Sequence, residues 1–257
     1  MSPSELKQAL ADGQVVAGTM VFEFNTPGIG LIAAEAGAEF VLYDMEHTGW
    51  SIESIRAQMA WSRSAPITRL VRVPATQYDY ISRALDVGAQ GVMAPMVESA
   101  EQATAIATAS SYPPEGRRGA AFGIAHDGYA PGAVLDKMRA ANAERVMIAQ
   151  VETITGVKNA REIAAVPGID ILWVGQFDLT VSLEIPGQFD HPDFVAAVKA
   201  VADAARNAGK ACGAMALSVD DAKTWVSRGY NMIAYSGDLW IYQLALTGSL
   251  RALRDAL

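Results

Sequence analysis

Apolar and polar positions alternate in blocks along this chain. Short runs rich in Val, Ile, Leu and Ala fall at residues 15–24, 40–44, 67–73, 91–96, 146–152, 169–174, 211–216 and 232–235. Their near-continuous apolar character predicts strands buried on both faces, as in a parallel sheet. Segments with helical spacing follow them, at 27–36, 52–64, 78–87, 100–110, 155–165, 193–208, 222–228 and 239–257. Ser51 precedes one helical run as a candidate N-cap, and Asn207-Ala208-Gly209 reads as a helix end with glycine just beyond it. Gly37, Gly88 and Gly229 recur in the same place after other helical runs.

Eight strand–helix units predict an α/β fold, a closed (β/α)₈ TIM barrel spanning 1–257 as a single domain. A doubly wound sheet is the competing architecture. The Gly-x-Gly-x-x-Gly turn expected after the first strand of its dinucleotide-binding form is missing. One stretch breaks the rhythm: 112–131 shows no clear element, and 132–144 offers at most one short extra helix. A segment of that length is usually functional or a contact region. Barrel topology starts it at the face opposite the strand C-termini.

The bulk numbers narrow the function classes. At 257 residues, 51% hydrophobic and 19% charged, the chain has apolar material for one large core. No apolar run reaches the ~18 residues of a membrane span. Residues 1–14 lack the basic-then-apolar pattern of a signal peptide. A single cysteine, Cys212, excludes an internal disulfide and reads as a buried structural thiol. A cytoplasmic location is expected. Net charge is −8 with scattered Lys and Arg, so nucleic acid is not expected as a partner. An acidic enzyme that binds anions must do so through a local arginine or a metal.

In a barrel the reacting side chains stand at the C-terminal strand ends. Those positions carry Glu23-Phe24-Asn25, Asp44-Met45-Glu46-His47, Arg72, Gln150-Val151-Glu152, Gly175-Gln176-Phe177-Asp178 and Ser236-Gly237-Asp238. Glu152 and Asp178 come from adjacent strand ends. They suit a hard divalent ion such as Mg²⁺ or Mn²⁺, or else cap the following helices. Arg72 is placed either for a substrate carboxylate and a developing enolate, or for a salt bridge with Asp44 or Glu46. His47 is a natural base that Asp44 can orient directly or through water. His126 and His191 read as solvated loop residues. Asp86, near a helix C-terminus that disfavours acids, needs an arginine partner or a role in a subunit contact.

Taken in order, Asp44-Met45-Glu46-His47, Val71-Arg72-Val73-Pro74, Leu85-Asp86-Val87-Gly88-Ala89-Gln90-Gly91, Pro95-Met96-Val97-Glu98-Ser99, Tyr112-Pro113-Pro114 with Gly116 and Arg118-Gly119, Gln150-Val151-Glu152-Thr153, and Gly175 with Asp178-Leu179 resemble the HpcH/HpaI family of metal-dependent pyruvate aldolases. This family lies in the phosphoenolpyruvate/pyruvate barrel superfamily. The resemblance implies a divalent ion (Mg²⁺, Mn²⁺ or Co²⁺) held by Glu152 and Asp178. It implies that Arg72 binds pyruvate and steadies its enolate, and that His47 with Asp44 forms the acid–base system. Gln150 lines the pocket, with Gly175, Gln176 and Phe177 around the pyruvate carboxylate. Asp86 supports the site at a subunit contact. A hexamer of paired trimers is implied, with helix 239–257 packing on a neighbour.

Two stretches depart from the family pattern. Members often have Gly-Pro-Ala-Asp where this chain has Gly175-Gln176-Phe177-Asp178. Phe22-Glu23-Phe24-Asn25 replaces small polar residues. Both departures border the expected aldehyde space. The reaction implied is cleavage of a 4-hydroxy-2-oxo acid to pyruvate and an aldehyde, or its reverse. A Schiff-base aldolase would want a lysine at a strand end, whereas Lys158, Lys199, Lys210 and Lys223 read as helical or loop positions. Competing readings are a superfamily lyase acting on oxaloacetate or acyl-CoA esters, and a non-catalytic barrel.

Overall fold

A computed structural model describes residues 1–257. Eight strands, β1 (Val16–Val21), β2 (Phe40–Asp44), β3 (Thr68–Arg72), β4 (Gly91–Ala94), β5 (Val146–Val151), β6 (Ile171–Val174), β7 (Ala211–Ala216) and β8 (Met232–Gly237), pair in parallel in chain order. β8 returns to β1 and closes the barrel, with one register shift between Gly18 and Met20. All eight expected strands are present. The observed strands stop short of Phe24, Met96 and Glu152, because the chain leaves the ladder where the barrel mouth begins.

The helices are α1 (Pro3–Ala11), α2 (Ile29–Glu35), α3 (Ile52–Trp61), α4 (Tyr78–Asp86), α5 (Ala100–Ser110), α6 (Val134–Glu144), α7 (Ile154–Lys158), α8 (Ala160–Ala164), α9 (Gln176–Ser182), α10 (Pro192–Asn207), α11 (Val219–Ser227) and α12 (Asp238–Ala256). Ser51 caps α3 by accepting from Ser54 N at 3.4 Å. Gly209 sits just past α10 with φ +66°, the left-handed turn that stops the helix. The expected helix 155–165 is instead two short ones. They break at Asn159, whose side chain turns back to donate to Glu98 O at 2.7 Å.

Two apolar layers hold the barrel. Val41, Val71, Val92, Ala149, Val174 and Ala214 face out against the helices. Met20, Leu42, Leu70, Met93, Ile148 and Trp173 fill the lumen, and Leu6, Ala9 and Leu10 of α1 close its lower end. The Trp173 indole fits because Gly213, its neighbour on β7, has no Cβ to meet the ring.

Segment 112–131 is irregular apart from a single 3-10 turn, Ala125–Asp127. It is tied to the bottom of the barrel. Tyr112 and Asn142 exchange two hydrogen bonds of 2.7 and 3.0 Å, and the Arg118 guanidinium lies 4.8 Å from the Tyr112 ring. His126 is half-buried and bonded to Ala121 O at 2.6 Å rather than solvated. His191 is likewise engaged: it caps α10 by accepting from Asp193 N at 3.2 Å. Cys212 is buried, which pushes its thiol up to about 12. No helix is long and apolar enough to cross a membrane.

Candidate active site

The strand ends converge on a cavity of about 850 Å³ at the mouth, lined among others by Phe22, Glu23, His47, Arg72, Gln150, Gly175, Phe177 and Asp178. Asp44 and Arg72 are the last residues of β2 and β3 and stand in register. Asp44 is fully buried and does three things at once. It accepts from Arg72 Nε at 2.6 Å, from Glu46 N at 3.1 Å and from His47 N at 2.9 Å. It therefore fixes the turn carrying His47 through the main chain, not through the imidazole.

The imidazole has a different neighbour. Glu46 Oε2 lies 3.7 Å from His47 Nε2 and 3.1 Å from Arg72 Nη1, close in charge but outside hydrogen-bond geometry. Burial pushes the Glu46 carboxyl up, against the pull of Arg72 and His47. Both salt bridges open to Arg72 from the sequence, to Asp44 and to Glu46, form together. Glu46 was expected only as a salt-bridge partner of Arg72, and its place beside the His47 ring was not foreseen.

Glu152 follows β5 and is buried. Its Oε1 accepts from Met96 N at 2.7 Å, and its Oε2 accepts from Gln150 Nε2. Met96 takes φ +53° to aim that N–H, a strained turn of the kind that gathers at functional sites. Burial raises the Glu152 carboxyl to about 7, and the charges of Glu46 and Asp178 push the same way. Gln150 is buried, and its Oε1 has no partner. Above these groups lies Gly175. A Cβ there would collide with Glu152 Oε2 and come within 2.7 Å of Gln150 Nε2, so only glycine lets the backbone pass this close to the two side chains.

Asp178 lies exposed in the first turn of α9. That helix starts on Gly175 without a side-chain cap, so Asp178 is not used as one. Gln176 is buried and donates to Met215 O at 2.9 Å, which pins the α9 start to β7. Phe177 is exposed, edge-on to Phe189 at 5.2 Å. The mouth thus gathers Asp44, Glu46, His47, Arg72, Gln150, Glu152 and the Gly175–Asp178 turn. Asp86 stays outside it: at the end of α4 it pairs with the buried Arg118 at 2.6 Å, on the opposite face of the same chain.

No three His, Cys, Asp or Glu side chains are arranged around one point as a ready-made metal cage. The donor set nevertheless fits a hard divalent ion. Asp178 stands near enough to Glu152 for its charge to act on that carboxyl, the Gln150 amide oxygen is unpartnered, and the carboxylates outnumber the one arginine.

A closed parallel barrel with an acidic, arginine-bearing mouth defines a class of α/β-barrel enzymes. The chain belongs to the HpcH/HpaI aldolase/citrate lyase family, whose model matches residues 20–243. It is 36% identical over 222 residues to a hydroxypyruvate/pyruvate aldolase of Chromohalobacter salexigens, covering 86% of this chain and 87% of that one. It is 32% identical over 246 residues to a 5-keto-4-deoxy-D-glucarate aldolase of Klebsiella pneumoniae, covering 95% and 94%. The crystal structure of an HpcH/HpaI aldolase from Desulfitobacterium hafniense superposes with a TM-score of 0.91 at 32% identity, covering 97% of this chain and 96% of that one.

Proposed function

We propose that the protein is a divalent-metal-dependent pyruvate aldolase. It cleaves 4-hydroxy-2-oxo acids to pyruvate and an aldehyde, or runs the addition in reverse. The observation that carries this reading is the gathering at one barrel mouth of the buried Glu152 carboxylate, the unpartnered Gln150 Oε1, Asp178 and Arg72. Glu152 and Asp178 would hold Mg²⁺, Mn²⁺ or Co²⁺ through oxygen, with other positions left to water and substrate. When bound, the ion supplies Lewis-acid polarisation of the keto group, which acidifies the neighbouring methyl protons.

The chain's own residues do the rest. Arg72 is fixed by Asp44 and Glu46 and keeps further guanidinium N–H groups for the pyruvate carboxylate and the enolate oxygen. His47, exposed at the mouth beside Glu46, holds and moves the proton. The first N–H groups of α9, after Gly175, lack intrahelical partners and suit a carboxylate. Gln150 and Gln176 shape the floor of the pocket, and Phe177 borders it.

A homo-oligomer, a hexamer of paired trimers in a cytoplasmic setting, completes the reading. Every residue of α12 from Ile241 to Leu257 is exposed, including Leu244, Leu250 and Leu253. An apolar stripe left bare in this way suits a neighbouring subunit. Such an assembly would carry Asp86 of one chain toward the mouth of another. Light scattering should give the mass of six chains, and a monomer would overturn this part.

The activity test is pyruvate release from 4-hydroxy-2-oxoheptanedioate and shorter 4-hydroxy-2-oxo acids. It would be run with Mg²⁺, Mn²⁺ or Co²⁺ and repeated in EDTA. Release that needs the ion is expected. No release from folded protein with any of the three would reject the aldolase reading.

A further inference from the structure

The cavity at the mouth also has an apolar part, built differently from the polar groups described above. Its walls are the rings of Phe22, Trp50, Phe177 and Trp240, together with Leu239. Phe22 and Trp240 meet edge to face at 5.0 Å, so the two rings brace each other. The Phe22 ring lies 6.0 Å from the Arg72 guanidinium, which sets this wall directly beside the pyruvate position.

Its charge is as distinctive as its shape. The ionisable side chains lining the cavity are Glu23, His47, Arg72 and Asp178. Arg72 is already engaged by Asp44 and Glu46, and Asp178 belongs to the ion. His47 works on the proton. Glu23, exposed at the rim, is left as the charge facing an incoming aldehyde, with no lysine or free arginine of this chain to oppose it.

The backbone under this wall is held in place. Asp238, buried at the start of α12, accepts from Phe22 N at 2.9 Å, Glu23 N at 3.0 Å and Phe24 N at 2.6 Å. Three amides on one carboxylate fix where Phe22 and Glu23 stand.

We infer that the aldehyde partner is neutral and aromatic or apolar, that Phe22 and Trp240 bind it, and that Glu23 disfavours aldehydes ending in a carboxylate. The inference rests on the aldolase reading and names its second substrate. The bond formed joins the pyruvate methyl carbon to the aldehyde carbonyl carbon. The methyl loses one proton, and the aldehyde oxygen gains one to become the 4-hydroxyl. An apolar ring in contact with Phe22 and Trp240 leaves water in this step. A terminal carboxylate would be desolvated against Glu23 with no compensating cation.

The test uses the Mn²⁺-loaded protein, pyruvate, and two acceptors that differ by one terminal carboxylate, benzaldehyde and 4-carboxybenzaldehyde. The kcat/KM for benzaldehyde should exceed that for the acid by roughly tenfold or more. E23Q should narrow that ratio at least about threefold by raising the value for the acid, and W240A should lower the value for benzaldehyde about tenfold. Exchange of pyruvate methyl protons in D₂O, with no aldehyde present, reads the pyruvate half alone. It should persist in the wild type and in both variants. Exchange with equal or better use of the carboxylated aldehyde would overturn this inference and leave the aldolase reading standing. Neither exchange nor addition would overturn both.

Discussion

At the scale of single residues, the strongest physical signal is Glu152. Its carboxyl is raised to about 7 in the folded protein, against an ordinary value of 4.5. Between those values the folded state keeps a proton that the unfolded chain has released. Stability from this group is therefore full below about pH 4.5 and is lost as pH rises through 7, by at most about 3 kcal/mol. Glu152→Gln removes that dependence with little change of shape. Gln150, whose Oε1 is unpartnered, can turn its amide over to accept the new N–H. In EDTA, E152Q should gain roughly 5–10 °C in Tm over the wild type at pH 8 relative to their difference at pH 5. Calorimetry at the two pH values checks this, and parallel melting of the two proteins would refute it.

The residue scale also shows what sequence could and could not convey. Asp44, His47, Arg72, Gln150, Glu152 and Asp178 were readable because strand-end position alone selects them once the barrel is recognised. Which groups pair with which was not readable. Asp44 was expected to orient the imidazole directly or through water; directly it holds the His47 backbone N–H and the Arg72 guanidinium, while Glu46 stands nearest the ring. That choice depends on how the chain turns after β2, and hydrophobic periodicity carries no information about turns.

At the scale of elements, the strands were legible because burial on both faces leaves continuous apolar runs. Short or capped pieces were not. α9 has only seven residues, too few for a helical period to show. α1 was overlooked although Ser2 and Glu5 form a capping box around Pro3, a signal that a local reading can find. α6, read as at most a short helix, runs for 11 residues.

The first residue of α12 carries the sharpest prediction at this scale. Asp238 clamps the Phe22–Phe24 amides, and Asp238→Ala leaves those N–H groups without their acceptor, at a cost of about 2 kcal/mol. Hydrogen exchange at these three amides should speed up at least about tenfold. Asp238→Asn, which retains one accepting oxygen, should fall between. Unchanged exchange in D238A would show that the loop is held by something else.

At the scale of the whole molecule, charge and topology act together. The chain carries −8 overall and sets four carboxylates, Asp44, Glu46, Glu152 and Asp178, around one arginine at the mouth. A closed barrel makes this possible, because its eight strand ends bring residues far apart in sequence to one rim. The same topology sends Asp86 to the other end and leaves the later turns of α12 exposed. The proposed divalent ion would neutralise carboxylates that one arginine does not balance. The decisive measurement is calorimetric titration of the metal-free protein with Mn²⁺ at pH 8, comparing wild type, E152Q and D178N. One site per chain, weakened at least about tenfold in each variant, is the expected result. Unchanged affinity in both variants, or no site in the wild type, would contradict the assignment of Glu152 and Asp178 as the residues that hold the ion.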